Sequence, residues 1–483
     1  MPLILPGNVG SATAATGYNV ANSCRFNSGD SAYMNVTSVS TVTNRLKFTI
    51  SLWVKRSTLG AKSMIGTVGG DDTNFGAIWF DSSDRLNCTE GSGGGELNFI
   101  TNRVFRDVSA WYNIILAIDT TQGTESNRVK IYVNGTQETS FSTSTYPSQN
   151  SNMHLNRNGK VQYLGRHTDS SNDYYFDGYM AEVVWVDGQQ LDQTSFGEFD
   201  SDSPTIWKPI DVSSLTFGNN GFYLDFEDSG DLGDDESGNG NDWGENNLAA
   251  TDQSTDTCTN NFCTINSTFA DAGSNTIAAD YSEGNLQLLT TVDGWKHGRG
   301  TFLLSSGKWY AEAKVTETGA GQNGNFGIVQ STLSGTTDAN DRLEGLRVGL
   351  GGSDTDLNKL DSGSGSTIFS DMASGNIVML AIDLDNNKLW VGKQGTWYNN
   401  NNASTTLSPS NQDVTLPSND AGWVYCIGNY RDGSNNLKWE YNWGSPSFAI
   451  SSGNSDANGY GNFEYAVPSG FYSVNTKNLA EFG

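Results

Sequence analysis

The feature that most constrains this chain is a recurring unit of short alternating apolar runs fenced by turn pairs. In "YFDGYMAEVVWVDGQQL", Tyr175 to Leu191, two Asp-Gly pairs enclose the run from Tyr179 to Val186. Asp-Gly suits a tight hairpin turn, whose two central positions both need positive φ, so the residues between are expected to form a strand. Alternation places Tyr179, Ala181, Val183 and Trp185 on one face and Met180, Glu182, Val184 and Val186 on the other. Both faces are mostly apolar, which predicts an inner strand covered on both sides.

The same unit recurs along the chain. "FTISLWVKRS" sets Phe48, Ile50, Leu52 and Val54 against Thr49, Ser51, Trp53 and Lys55; "WYNIILAID" follows, and "VKIYVNG" ends in Asn134-Gly135, another hairpin signal. "AIDLDNNKLWVGKQG" reads as a strand, an Asp-Asn-Asn-Lys turn and a return strand. With 56 Gly, only 9 Pro, 11% aromatic residues and no long helical period, the composition is all-β. A length of 483 residues exceeds one ordinary β-domain and accommodates two antiparallel β-sandwich domains.

The expected organisation has four parts. Residues 1–21 lack a hydrophobic period and read as an N-terminal arm that orders against a partner. Residues 22–192 form a first sandwich, 193–266 an acidic Gly/Asn-rich connector with one short strand, and 267–483 a second sandwich. "CTNNFCTIN" and "VPSGFYSVNT" are loosely alike, each with a Phe followed four residues on by an Asn, and each is expected to finish a module.

Charge narrows the partners. With 54 Asp+Glu against 27 Lys+Arg, the formal net charge of −27 opposes binding to nucleic acid or to anionic membranes. Five cysteines without a CxxC pair imply neither a disulfide framework nor a zinc site, and Cys258 and Cys263 are the only close pair. The start "MPLILPGNVG" lacks a basic n-region, so the protein is expected to fold in the cytoplasm and leave by a route other than a signal peptide.

In order, "FTISLWVKRS", "WYNIILAID", "VKIYVNG", "YLGRH" and "YFDGYMAEVVWVDGQQL" resemble the concanavalin A-like jelly roll of the LamG and pentraxin type, across about 22–192. The resemblance implies two antiparallel sheets packed face to face, with ligand loops along one edge or on the concave face. "GKWYAEAKVTE", "GNFGIVQS", "LRVGLGG", "IVMLAIDLDNNKLWVGKQGTW" and "WEYNWGSPSF" resemble the SPRY fold across about 267–476, which implies recognition by loops without chemistry. The whole order of parts is similar to virion structural proteins of tailed phages, of the fibre or decoration type. That likeness implies a homo-oligomer, of which a trimer is one form, at the virion surface, docked to other virion proteins through the arm and facing host surface glycans.

Catalytic patterns fit poorly. Glucanases of the concanavalin A-like fold use E-x-D-x-x-E or its unbulged form; the same offsets here read Glu182, Val184 and Asp187. Without a bulge, Glu182 and Asp187 have opposite parity and their Cα atoms stand ~16 Å apart, against ~5.5 Å between the carboxyls of a retaining pair. Glu182 is therefore expected to be structural. His154, His167 and His297 are too dispersed for a local metal pair, and no P-loop is present. No enzymatic activity is expected, although a glycan depolymerase on this fold stays as an alternative, beside a decoration protein without host contact.

Two kinds of binding residue remain. "DDESGNGND" places Asp235, Ser237 and Asn239 with Gly240 like the first half of a Ca²⁺ loop, but Asn246 stands where the bidentate Glu belongs. "GGDDTN" at Gly69 to Asn74 and "DSSND" at Asp169 to Asp173 are further candidate hosts for Ca²⁺. Sugar binding needs an aromatic face for C–H bonds and fixed polar groups for hydroxyls. Asp173, Tyr174 and Tyr175 in one loop, and Trp397 and Tyr398 in another, are the candidates.

Overall fold

The strand Lys47–Arg56 organises the N-terminal half, because its alternation gives it two faces to bury and two edges to pair. In the computed structural model it lies between Trp111–Asp119, in register from Lys47 opposite Asp119 to Lys55 opposite Trp111, and Gly178–Asp187, which runs antiparallel on its other edge. The structure describes residues 4, 17–37, 41–60, 63–68, 75–91, 96–168, 173–269, 281–291, 293–317, 322–332, 343–350, 356–398, 404, 406–407, 412–431, 433 and 436–483. The chain divides into two units, Thr13–Thr259 and a second made of Met1–Ala12 with Asn260–Gly483.

In the first unit one sheet runs Thr136–Gln137, Val129–Val133, Trp111–Asp119, Lys47–Arg56, Gly178–Asp187, Ser23–Phe26, Gln253–Ser254, with Phe222–Leu224 also paired to Gly178–Asp187. The other runs Phe141–Thr145, Leu97–Val104, Arg85–Glu90, Gly76–Phe80, Ser63–Val68, Val161–Leu164, Tyr33–Thr37, Gly244–Asn246. Phe48, Ile50, Leu52 and Val54 from the first sheet share one buried cluster with Met34, Ile78, Phe80 and Phe99 from the second. This is the sandwich core that the alternation predicted. The Asn134-Gly135 hairpin is also as expected, with both residues at positive φ, 47° and 72°. A Cβ on Gly135 would stand 2.1 Å from the Trp207 ring, so the turn and the packing both require glycine here.

The segment read as a connector is instead part of this sandwich. Phe196, Val212, Phe217 and Tyr223 pack on Ile115, Val184 and Val186, and Trp207 packs with Trp53, Trp111 and Tyr179. These residues cover the outer face of the first sheet, which explains why Thr49, Ser51, Trp53 and Lys55 are buried as fully as the residues facing the core. Gly244–Asn246 and Gln253–Ser254 extend the two sheets. Polar, glycine-rich composition signalled turns correctly and missed the apolar residues spaced among them.

The arm also needs correction. Ile4 makes a parallel bridge to Phe302, donating to the Thr301 carbonyl at 2.8 Å and accepting from Leu303 N–H at 3.0 Å. Tyr18 and Val20 pack within the first unit, where Val20 N–H donates to Thr259 Oγ1 at 3.1 Å. The described part of residues 1–21 is thus bound to its own chain. The two Asp-Gly pairs do not form the expected turns either: Gly178 and Gly188 have positive φ, whereas Asp177 and Asp187 do not.

The second unit is again two antiparallel sheets. One runs Tyr281–Ser282, Gln287–Thr290, Leu437–Asn442, Lys308–Glu317, Ile377–Asp383, Lys388–Lys393, Thr396–Trp397, with Val414–Thr415 on Lys388–Lys393. The other runs Gly294–Arg299, Trp423–Arg431, Gln322–Gln330, Glu344–Leu350, Leu357–Asp361, Ser364–Phe369. The hairpin read from "AIDLDNNKLWVGKQG" forms, with Asp383 opposite Lys388. The two Phe/Asn segments, expected to end separate modules, pair with each other: Phe262 bridges Asn475 and Cys263 N–H donates to the Val474 carbonyl at 2.9 Å. All-β, two-sandwich architecture holds; a short helix, Thr476–Phe482, capped by Asn475, follows the last segment. No helix among the described residues is long and apolar enough to cross a membrane.

Candidate functional site

Tyr33 and Tyr163 alternate with Met34 and Leu164, whose side chains enter the core, so the two tyrosines lie on the outer side of the second sheet. After Leu164 the chain turns at Gly165, where φ is +80° and a Cβ would stand 2.6 Å from the Phe26 ring, so only glycine fits. The turn starts the strand Arg166–Thr168, which pairs with Asp173–Tyr175 so that Arg166 faces Tyr175 and His167 faces Tyr174. The Arg166 guanidinium then lies 4.6, 5.2 and 5.7 Å from the ring centres of Tyr33, Tyr163 and Tyr175. Cation–π attraction of about 0.5–1 kcal/mol per exposed pair holds three rings around one planar cation.

The rings also touch each other, Tyr33 to Tyr163 at 5.9 Å and Tyr33 to Tyr175 at 6.1 Å. His167 stacks on Tyr174 at 6.0 Å and meets Phe75 at 5.8 Å. Beside Tyr33, Asn246 Nδ2 donates to Asn35 Oδ1 at 2.6 Å. All of these side chains are half-buried. The arrangement offers fixed aromatic surface with amides at its border, a combination suited to a ring that is apolar on its face and polar on its rim.

Of the expected sugar-binding residues, Tyr174 and Tyr175 belong to this cluster, and Asp173 opens their strand opposite Thr168. Trp397 does not present a surface: it is 4% exposed and packs with Tyr310, Met379, Trp390 and Phe463 inside the second unit. The positive-φ turn at Gln394 and Gly395 folds it back onto the Lys388–Lys393 strand. Tyr398 is half-buried, its ring 5.7 Å from Phe369. Tyr33, Tyr163 and Arg166 were missed. Their signal was present in the alternation of "YMNV" and "VQYL", but the rings meet only once the two segments pair.

At the loop of Asp235, Ser237 and Asn239, the expected Ca²⁺ host, the Asp235 carboxylate is engaged by donors of its own chain. Asp235 accepts from Tyr223 N–H at 2.9 Å, Ser237 N–H at 2.9 Å, Ser237 Oγ at 2.8 Å and Asn241 N–H at 2.8 Å. Asn239 Nδ2 donates to the Gly218 and Gly221 carbonyls. A carboxylate enclosed by donors ties the loop together. Among the described residues no group of three or more His, Cys, Asp or Glu could hold a metal. The stretches 69–74 and 169–172 lie outside the described residues.

Glu182 sits in a β-bulge, with left-handed φ of 49° and a register shift between Ala181 and Val184. The bulge reverses the expected parity, so Val183 and Trp185 join the core while Val184 and Val186 face outward. Glu182 is 5% exposed and accepts from Tyr223 Oη at 2.9 and 3.1 Å; Tyr223 Oη is in turn 3.0 Å from Tyr18 Oη. Burial pushes its carboxyl up to about 8, with the Tyr223 hydrogen bond opposing and the charge of Asp225 adding to the rise. Asp187 is used elsewhere: its carboxylate accepts from the Thr43, Asn44 and Asn220 amides and from Asn156 Nδ2.

Residues 28–193 match the family described as the concanavalin A-like lectin/glucanases superfamily, of the laminin G type. The match covers about a third of the chain and stops before the covering segment. No curated protein matches. Solved structures with similarity include a putative carbohydrate binding protein from Bacteroides ovatus (15% identity, 47% of this chain and 59% of that one, TM-score 0.32). A heptameric SAP-like pentraxin from Limulus polyphemus (12%, 36% and 80%, TM-score 0.26) and the SPRY domain of human HERC1 (17%, 32% and 87%, TM-score 0.22) are similar over shorter stretches. The chain thus spans less than two thirds of the Bacteroides protein.

Proposed function

We propose that this protein is a non-enzymatic glycan-binding protein whose concanavalin A-like unit presents the Tyr33, Tyr163 and Tyr175 cluster to carbohydrate. The observation that carries the reading is the clamp of Arg166 on these three half-buried rings. Rings already fixed by the fold lose little freedom on binding, and each contributes apolar contact to the C–H face of a sugar. The family of residues 28–193 includes lectins, which supports the class of ligand.

The likeness of its order of parts to phage virion proteins extends the proposal to an external fibre or receptor-binding component on a virion surface, working as a homo-oligomer against host glycans. Repetition would raise weak single-site affinity by avidity. Because Ile4, Tyr18 and Val20 pack on their own chain, we assign docking onto the virion to no segment. A glycan array with the full chain, run with and without EDTA, tests the reading. Retention that Tyr175→Ala abolishes supports it; no retention of any glycan would instead favour a decoration role without host contact.

The glucanase side of the family supplies the rival, favoured only by the raised carboxyl of Glu182. Against it, Tyr18, Tyr223 and the covering segment close over the face that carries this residue. New reducing ends released from a host polysaccharide, and lost in Glu182→Gln, would establish hydrolysis.

A further inference from the structure

The first unit also has a cavity of about 240 Å³ where one edge of its sandwich opens, remote in sequence from Tyr175 and bordered by strands of both sheets. The chain passes from Thr136–Gln137 in one sheet to Phe141–Thr145 in the other at that edge. Phe99, Phe141 and Tyr146 form an apolar wall, with Phe141 and Tyr146 both edge-on to Phe99 at 5.1 and 4.9 Å. Gln137, Glu138 and Ser144 supply the polar side.

The polar groups are not consumed by the fold. Among the described residues the Gln137 carboxamide and the Ser144 hydroxyl make no hydrogen bond, and Glu138 Oε2 makes none although it lies buried. Arg103 Nε is 3.1 Å from that oxygen, close enough to neutralise it but not aligned as a hydrogen bond, while Oε1 accepts from Ser140 N–H at 3.1 Å. A carboxylate oxygen held by an ion pair alone keeps a lone pair for a donor brought from outside.

We propose that this cavity is a second glycan subsite, taking one neutral pyranose residue with its C–H face on Phe141 and Tyr146 and a hydroxyl donating to Glu138. Size limits the ligand: sites enclosing drug-sized molecules run about 300–1,000 Å³, so this one takes a single ring. Charge limits it further, since the net charge of −27 on the chain disfavours a sugar acid. The ligand class rests on the glycan-binding reading above, but the site does not depend on the tyrosine cluster.

The test is a titration of the full chain with methyl glucoside, methyl galactoside and methyl mannoside, followed by saturation-transfer NMR, with N-acetylneuraminic acid as the anionic comparison. At least one neutral glycoside is expected to bind with a Kd on the order of 1 mM, as a ligand of this size allows. Ser144→Trp, which fills the cavity from an exposed strand position, should weaken it at least tenfold, and Glu138→Gln several-fold, each by the same factor in the parent and in a Tyr175→Ala background. The second variant keeps the test open should the first misfold, which a melting curve detects. Absence of binding by every neutral glycoside, or binding that survives both cavity variants, overturns the proposal. If that binding is lost in Tyr175→Ala instead, the cavity is wrong and the tyrosine site stands. Binding lost only in the cavity variants, with no Tyr175-dependent retention on an array, upholds the cavity and removes the tyrosine site.

Discussion

The Lys55 ammonium lies 2.6 Å from a carboxylate oxygen of Asp256, 201 residues further along the chain, and both side chains are buried. Trp111 Nε1–H donates to the other Asp256 oxygen at 3.1 Å. The pair joins a central strand to the last segment of the first unit. Removing one partner leaves a buried charge uncompensated, at a cost of about 3–5 kcal/mol, whereas an apolar replacement of both is often near neutral. In urea denaturation Asp256→Ala should therefore lose stability in that range and Lys55→Met with Asp256→Leu should recover most of it. A single variant as stable as the parent would show that the segment does not hold the unit together.

Burial raises the carboxyl of Glu182 from 4.5 to about 8, and that of Glu90 likewise to about 8. A group with a raised folded pKa contributes stability that is fully present below its unfolded pKa and is lost as pH rises through the folded one. The parent protein should consequently melt at lower temperature at pH 9 than at pH 5. Glu182→Gln keeps an acceptor for Tyr223 and removes one titration, so its fall in Tm over this range should be smaller, by about 2–4 °C per kcal/mol relieved in a unit of this size. Parallel pH profiles for parent and variant would refute the assignment.

Tyr33→Ala and Tyr175→Ala should each weaken glycan retention about tenfold, equivalent to about 1.4 kcal/mol, with the chain still folded. Tyr175→Phe keeps the ring and should lose much less. Affinity electrophoresis through gels containing the retained glycan reads all three, and equal mobility of Tyr175→Ala and parent would show that this face does not touch the glycan.

Trp397→Ala tests the correction at the other candidate. Deleting a buried Trp costs about 3–5 kcal/mol, so denaturation of the second unit should shift by that amount while glycan retention is unchanged. Loss of retention at unaltered stability would make Trp397 a ligand contact after all.

For the loop at Asp235, hydrogen bonding and metal binding make different demands. Asp235→Ala should destabilise by about 1–3 kcal/mol through the donors left unpaired, and by the same amount in calcium as in EDTA. A deficit seen only with calcium present in the parent would restore the cation.

What the sequence determined by itself was local. Alternation at Phe48–Val54 and Ile377–Asp383 and the Asn134-Gly135 turn depend on neighbours along the chain, and they place strands and core faces without knowledge of the fold. Tertiary structure decided everything that required distant segments to meet. The covering role of 193–226 rests on Phe196, Trp207 and Phe217 finding a sheet whose outer face needed burying, and the bulge at Glu182 appears in no periodicity. Whether an aromatic side chain serves the core or the surface was likewise settled by packing: Trp397 and Tyr175 both stand in polar sequence, yet one is folded under its sheet and the other is gathered around Arg166. A period of two gives a residue its side of a strand, but only the layers packed on that side fix whether water reaches it.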